Sequence, residues 1–218
     1  FLSREPYEIF SYNNGVVTRE SAGKKQVIRT KDPFGVLKGI FAGFKAAPVK
    51  GIPEFTGGAV GYISYDVIKL YEKVPHENKA DTLGWPDIYL MFNDVLMVFD
   101  HVYHKIQVIN NIFIAEKDTA TDVKRKYNKA VKKIRAIIGG LRKPLRMKKQ
   151  KPFRAGGIRS LYTPSEFKDM VRKTVALIKH GEAIQVVPAQ RFEAKFAGDP
   201  ITLYRSLRTV NPSPFMHF

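Results

Sequence analysis

The 218-residue sequence contains no cysteine, which excludes disulfides, thiolate-ligated metals and a cysteine nucleophile. It has no apolar run near the ~18 residues that suggest a membrane-spanning helix, and no charged start followed by an apolar stretch. The expectation is therefore a soluble cytoplasmic protein. A Gly-x-Ser-x-Gly nucleophile elbow is missing, and so are a Walker loop and the dinucleotide glycine spacing. Serine-hydrolase and nucleotide-cradle chemistries thus have no carrier. Acidic residues are scarce: 20 Asp and Glu stand against 37 Lys and Arg, a formal charge of +17.

What is present supports a sizeable core, with 44% hydrophobic and 12% aromatic residues. The excess of positive charge would draw anions to the surface. Much of it falls in two stretches. One is a helical segment with Lys117, Lys124, Arg125, Lys126, Lys129, Lys132, Lys133 and Arg135. The other is the following run with Arg142, Lys143, Arg146, Lys148, Lys149, Lys151 and Arg154. A solvated helix face and linker explain this pattern more simply than a nucleic-acid patch, since no nucleic-acid motif accompanies the charge.

Tyr7 to Tyr12 alternates, Asn13-Asn14-Gly15 tolerates positive φ, and Val16 to Arg19 resumes extended character, which predicts a hairpin. Asp32-Pro33 followed by Phe34, Leu37, Phe41 and Phe44 predicts a helix over 33–45, despite two internal glycines. Gly57 to Tyr65 reads as a glycine-rich strand where another backbone or a ligand comes close. Ile88 to Phe99 and Val102 to Ala115, parted by Asp100-His101, predict a long hairpin in the centre of a sheet.

Val123, Tyr127, Val131, Ile134 and Ile138 define one face of a helix from Thr119 to Ile138, closed by Gly139-Gly140. Residues 141–159 are basic and proline-punctuated, which places a linker there between regions 1–140 and 160–218. Thr163-Pro164-Ser165-Glu166 has the form of a capping box opening a helix to Gly181. Glu182 to Phe196 is a strand candidate interrupted by Pro188, and Asp199-Pro200 opens a last helix. The chain stops on an extended run after Pro214, which reads as a truncated domain. Helices with mainly hairpin-connected strands and no βαβ alternation give an α+β fold class.

Of the five histidines, only His101 and His104 lie close together. On a strand they would face opposite sides, so the sequence offers no metal site. By composition and spacing alone the chain is a basic α+β protein able to bind an anion.

Three segments carry a more specific resemblance. Gly57-Gly58-Ala59-Val60-Gly61-Tyr62-Ile63-Ser64-Tyr65-Asp66, ending in Lys69-Leu70-Tyr71-Glu72, resembles the glycine-rich signature of component I of anthranilate synthase and of aminodeoxychorismate synthase. Glu182 to Phe192 resembles a family strand usually written [GD]-[DE]-I-F-Q-V-V-L-S-Q-R-F. Asp199-Pro200 to Leu207, then Asn211-Pro212-Ser213-Pro214-Phe215-Met216, resembles D-P-F-x-L-Y-R-x-L-R followed by N-P-S-P-Y-M. In this order and spacing they cover nearly the whole chain.

The resemblance implies a sheet sandwich flanked by helices, present here in part. It also implies a large subunit that binds chorismate and Mg²⁺ and accepts ammonia from a glutamine amidotransferase subunit. Adding ammonia and eliminating pyruvate would yield anthranilate for tryptophan biosynthesis. The family's metal-binding glutamates, catalytic histidine and carboxylate-binding loops would lie after Phe218, so no catalytic or metal residue is assigned, and the chain alone is expected to be inactive.

Gln185 is placed in the chorismate-site neighbourhood. Water-adding relatives carry a lysine base there, whereas ammonia already has a free lone pair and needs none. The plainer reading of Gln185 is a hydrogen-bonded strand residue.

Pro214, Phe215 and Met216 match the segment lining the family's tryptophan feedback pocket, with L-tryptophan as inhibitor. Their plainer reading is a rigid turn into a core strand. Phe215 replaces the usual tyrosine, and the family's Leu-Leu-Glu-Ser tryptophan motif lies upstream of the region matched by Phe1-Leu2-Ser3, so tryptophan binding is expected to be weak or absent. Pro188, Ala189 and Ile184 are further departures. The competing readings are aminodeoxychorismate synthase component I, which retains pyruvate, and a basic nucleic-acid-binding module.

Overall fold

The computed structural model describes residues 2, 3, 5–47, 49–74, 81, 83–144 and 156–218. The chain divides into two compact units, Phe1–Pro144 and Leu145–Phe218. Residues 145–155 of the segment expected to be a linker, with Arg146, Lys148, Lys149, Lys151 and Arg154, lie outside the described residues, as does His76.

In the first unit, strands β1 (Glu8–Asn13), β2 (Val16–Ser21) and β3 (Lys24–Arg29) form a meander. Each turn is set by a pair of residues with positive φ, Asn14 (47°) and Gly15 (78°), then Ala22 (49°) and Gly23 (75°). Backbones of this hand follow the twist of a two-residue hairpin. The first turn was legible from Asn-Asn-Gly. Strand β3 was not anticipated, because Lys24-Lys25-Gln26-Val27-Ile28-Arg29 carries no apolar alternation and sits at the sheet edge.

Helix α1 (Pro33–Ala42) is capped by Asp32, whose side chain accepts from the Gly35 N–H at 2.8 Å. Strand β4 (Gly58–Ile63) leads into a 3₁₀ helix (Tyr65–Leu70) and pairs with β5 (Ile88–Asn93). The five strands form an antiparallel sheet in the order β3-β2-β1-β5-β4. Phe10 and Tyr12 of β1, Val17 of β2, and Ile88, Leu90 and Phe92 of β5 share a core with Leu37 and Val67. Phe10 and Phe92 are 0% and 1% exposed, and burying each such ring contributes about 1.5–3 kcal/mol. At the sheet's inner margin Glu8 is also buried. Its carboxylate accepts from the Arg19 guanidinium at 2.6 and 3.0 Å. That bond is the main cause raising the Arg19 pKa above its ordinary value.

The long hairpin expected from 88–115 is divided at Asp94. Strand β6 (Val95–Asp100) pairs with β7 (Lys105–Asn110) in a separate two-stranded sheet, while β5 stays in the five-stranded one. Asp94 leaves both ladders: its carbonyl accepts from the Asn111 N–H at 2.7 Å and its carboxylate pairs with Lys133. His101 and His104 are in the turn between β6 and β7 rather than on a strand. The Asp100 carboxylate holds this turn through the Val102 and Tyr103 N–H groups at 3.1 and 2.9 Å.

Helix α2 (Ala120–Leu141) opens with a Thr119–Asp122 capping box. It runs through Gly139-Gly140 instead of ending there; the Arg142 N–H still reaches the Ile138 carbonyl at 3.2 Å. Glycine costs about 1 kcal/mol in a helix but does not remove its backbone bonds. The helix packs against β7.

In the second unit, β8 (Arg159–Ser160) pairs with β9 (Phe192–Glu193). Helix α3 (Pro164–Lys179) has the predicted Thr163–Glu166 capping box, and α4 (Pro200–Val210) is capped by Asp199. The strand expected over 182–196 is reduced to β9. Residues 183–191 have no ladder, in keeping with Pro188, which has no N–H to donate. No described residue of this unit is buried. Among the described residues no helix is long and apolar enough to cross a membrane.

Candidate functional site

The glycine-rich segment of the first unit is shaped by backbone contact. A Cβ at Gly61 would overlap the carbonyl of Tyr89 on β5, and one at Gly57 would overlap the Asn111 amide. That amide donates to the Thr56 carbonyl at 2.6 Å. Of the two readings of this strand, close approach of another backbone is the one Gly61 adopts. Beyond it the Ser64 N–H donates to the Asp87 carbonyl at 2.7 Å, and the Ser64 hydroxyl to the Asp87 carboxylate at 3.3 Å. Tyr62 stacks on Tyr89 with ring centroids 6.2 Å apart. Its phenol pKa is raised, by burial first and then by Tyr89 and Asp87.

In the second unit Gln185 is exposed, in the segment between α3 and β9 and outside any strand. The organising amide of this segment is Gln190, which sequence reasoning did not single out. Its carbonyl accepts from the Tyr162 N–H at 3.2 Å. Its NH₂ donates to the Ser160 hydroxyl at 2.7 Å and to the Tyr162 carbonyl at 3.2 Å. The Leu161 N–H adds a bond to the Arg191 carbonyl at 2.9 Å. Gln190 thus closes the junction just before the α3 capping box. Its position in the matched segment was visible, but its partners lie about thirty residues earlier and share no pattern with it.

Pro214 and Phe215 are exposed, Phe215 at 83%, and Met216 is half-buried. The Tyr204 hydroxyl on α4 donates to the Met216 carbonyl at 3.2 Å, and the Tyr204 and Phe218 rings are 5.5 Å apart. The segment is therefore tied back to α4 while the Phe215 ring faces solvent.

Among the described residues no group of three or more His, Asp or Glu side chains could hold a metal ion. The magnesium implied by resemblance finds no ligand set there.

Residues 5–218 match the chorismate binding enzyme family. The chain belongs to this family. The anthranilate synthase component 1 of Aquifex aeolicus (strain VF5) is 36% identical over 201 residues, covering 90% of this chain and 39% of its own length. That of Acetivibrio thermocellus is 32% identical over 227 residues, covering 100% of this chain and 44% of its own. The crystal structure of anthranilate synthase component I from Streptococcus pneumoniae TIGR4 matches with a TM-score of 0.75 at 31% identity, over 100% of this chain and 46% of that one. The resemblance read from the three segments is borne out, as is the α+β class with its antiparallel sheet. The chain spans less than half the length of these relatives.

Proposed function

We propose that this chorismate-binding family chain forms part of the large subunit of an anthranilate synthase. The enzyme would combine chorismate with ammonia and release anthranilate and pyruvate, in tryptophan biosynthesis. The observation that carries this reading is the end-to-end match: relatives bearing that name and the Streptococcus pneumoniae structure align with essentially the whole chain. A glutamine amidotransferase subunit as ammonia source, Mg²⁺ and a cytoplasmic setting belong to the same proposal, as does the division into regions 1–140, 141–159 and 160–218.

Gln185 supports an ammonia-using reaction. Its amide cannot take up a proton near neutral pH, so it cannot activate water, whereas ammonia attacks through its own lone pair. Its exposed position leaves it free to face a ligand or another part of the enzyme. Pro214, Phe215 and Met216 are assigned to tryptophan binding in the same proposal: ring and thioether supply apolar packing for an indole. With Phe215 at 83% exposure, the 218 residues alone are expected to bind tryptophan weakly or not at all, and calorimetry at micromolar tryptophan checks this.

The test of function is a chimera in which these 218 residues replace the aligned segment of the Aquifex aeolicus relative. It is assayed for fluorescent anthranilate from chorismate, Mg²⁺ and ammonia. Anthranilate formation is expected. An amino product that retains its pyruvyl group would overturn the product assignment, and a well-folded chimera that leaves chorismate untouched would overturn the reading. The 218 residues assayed alone are expected to give no anthranilate.

A further inference from the structure

Helix α2 sorts its positive charges by face. The cations at the margins of the packed side are engaged: Lys126 pairs with Asp118 and donates to the Phe113 carbonyl at 2.9 Å, and Lys133 pairs with Asp94 at 3.4 Å. On the face opposite the buried Ala130, Lys124, Lys129, Lys132 and Arg135 are exposed and have no acidic partner among the described residues. Arg125 joins them, its side chain 75% exposed although it reaches Asp122 at 2.8 Å. At 3.6 residues per turn these five cations fall within an arc of about 140° and extend about 17 Å along the axis. A shallow groove on this face is lined by Thr121, Lys124, Arg125, Asn128, Lys129 and Lys132.

We infer that this face of α2 is a docking surface for the phosphate backbone of a nucleic acid, bound without regard to base sequence. A row of unpaired cations at roughly one per turn supplies the counterion-releasing contacts that dominate such binding. Thr121 and Asn128 add the small hydrogen-bonding side chains that phosphates accept. The lining of the groove contains no aromatic or aliphatic anchor. A protein interface normally needs such an anchor at its centre, and base-stacking single-strand binders need aromatic rings. A backbone-only polyanion is the partner that requires neither. The surface is independent of the chorismate reading, so failure of one leaves the other standing.

The test is fluorescence anisotropy of a labelled, unstructured 20-nucleotide RNA titrated with the 218-residue chain across a salt series. With four to five phosphates neutralised, log K should fall against log salt with a slope of about −3. Replacing Lys124, Lys129 and Lys132 by Glu should weaken binding at least about tenfold and flatten the slope by about 2 units. K168E/K173E/K179E on α3 makes the same charge change elsewhere and should alter affinity less than about threefold. K124Q/K129Q/K132Q, checked by circular dichroism, covers misfolding of the Glu variant and should also weaken binding. Equal losses from the α2 and α3 variants would overturn the inference in favour of diffuse charge. Retained binding in the Gln variant, a salt-independent affinity, or an acidic peptide binding where RNA does not would overturn it as well.

Discussion

The two units of this chain use the same local devices with different results. Both contain well-capped amphipathic helices: Thr119–Asp122 opens α2 and Thr163–Glu166 opens α3 with matching reciprocal bonds. In the first unit α1, itself capped by Asp32, contributes Leu37 to a core with Phe10, Val17, Ile88 and Phe92 almost wholly removed from water. In the second, Val175, Ile178, Leu203 and Leu207 line helix faces yet remain 38–48% exposed. Capping and periodicity specify that a helix forms and which side is apolar. They do not supply the surface that covers it.

The sharpest way to break this comparison is to truncate one apolar side chain in each unit. Phe10→Ala should cost about 3–5 kcal/mol, because a ring-sized cavity opens in the sheet core. Leu207→Ala should cost less than about 1 kcal/mol, since half of that side chain already meets water. Guanidinium denaturation of both variants measures the contrast, and equal losses would dissolve it.

Gly61→Ala comes next. The added methyl has no room against the Tyr89 carbonyl, so β4 must shift on β5 at a cost of about 1–3 kcal/mol. Hydrogen exchange should show faster opening confined to that strand pair. Unchanged protection would mean that the glycine is not required by packing.

A loss of similar or smaller size is expected from Arg19→Met, which leaves the Glu8 carboxylate buried beside the sheet without its partner, at about 1–3 kcal/mol. The double variant E8Q/R19M should recover part of it, because the buried charge is gone. A double variant as unstable as the sum of the single ones would show that the pair is not the source of the effect.

The smallest effect concerns the helix caps. Glu166 is held below its ordinary pKa by the Thr163 N–H first and then the Thr163 hydroxyl, and Asp122 by the Thr119 hydroxyl first and then its N–H. A carboxylate with a depressed folded pKa contributes stability that is fully present above its unfolded value, about pH 4. It is lost as the pH falls through the folded value. Helicity followed by circular dichroism should therefore decline below about pH 4, and E166Q with D122N should flatten that acid limb. An acid limb identical in the variant would assign it to other carboxylates.

Particular residues explain what could be read beforehand. Asn14-Gly15, Asp32-Pro33, Thr163 to Glu166 and Asp199-Pro200 announced a turn and three caps because each acts within a few residues. Asp94 did not announce the end of β5, since its role depends on Asn111 and Lys133 brought in from later in the chain. Gln190 matched a family segment, but its grip on Ser160 and Tyr162 appears only when β8 and β9 meet. Gln185 looked like a strand residue from its valine neighbours, and the ladder that would have made it one is absent among the described residues.

The sequence by itself determined the α+β class, the capped helices, the first hairpin and, through three matched segments, the chorismate-binding family. These rest on short-range steric and hydrogen-bonding preferences or on residue identity. Only the tertiary structure decided that residues 88–110 divide between two sheets, that Gly61 yields its side chain to a neighbouring backbone, and which lysines of α2 are paired. Each depends on a partner distant in sequence, and pairing across such distances follows from packing rather than from local propensity.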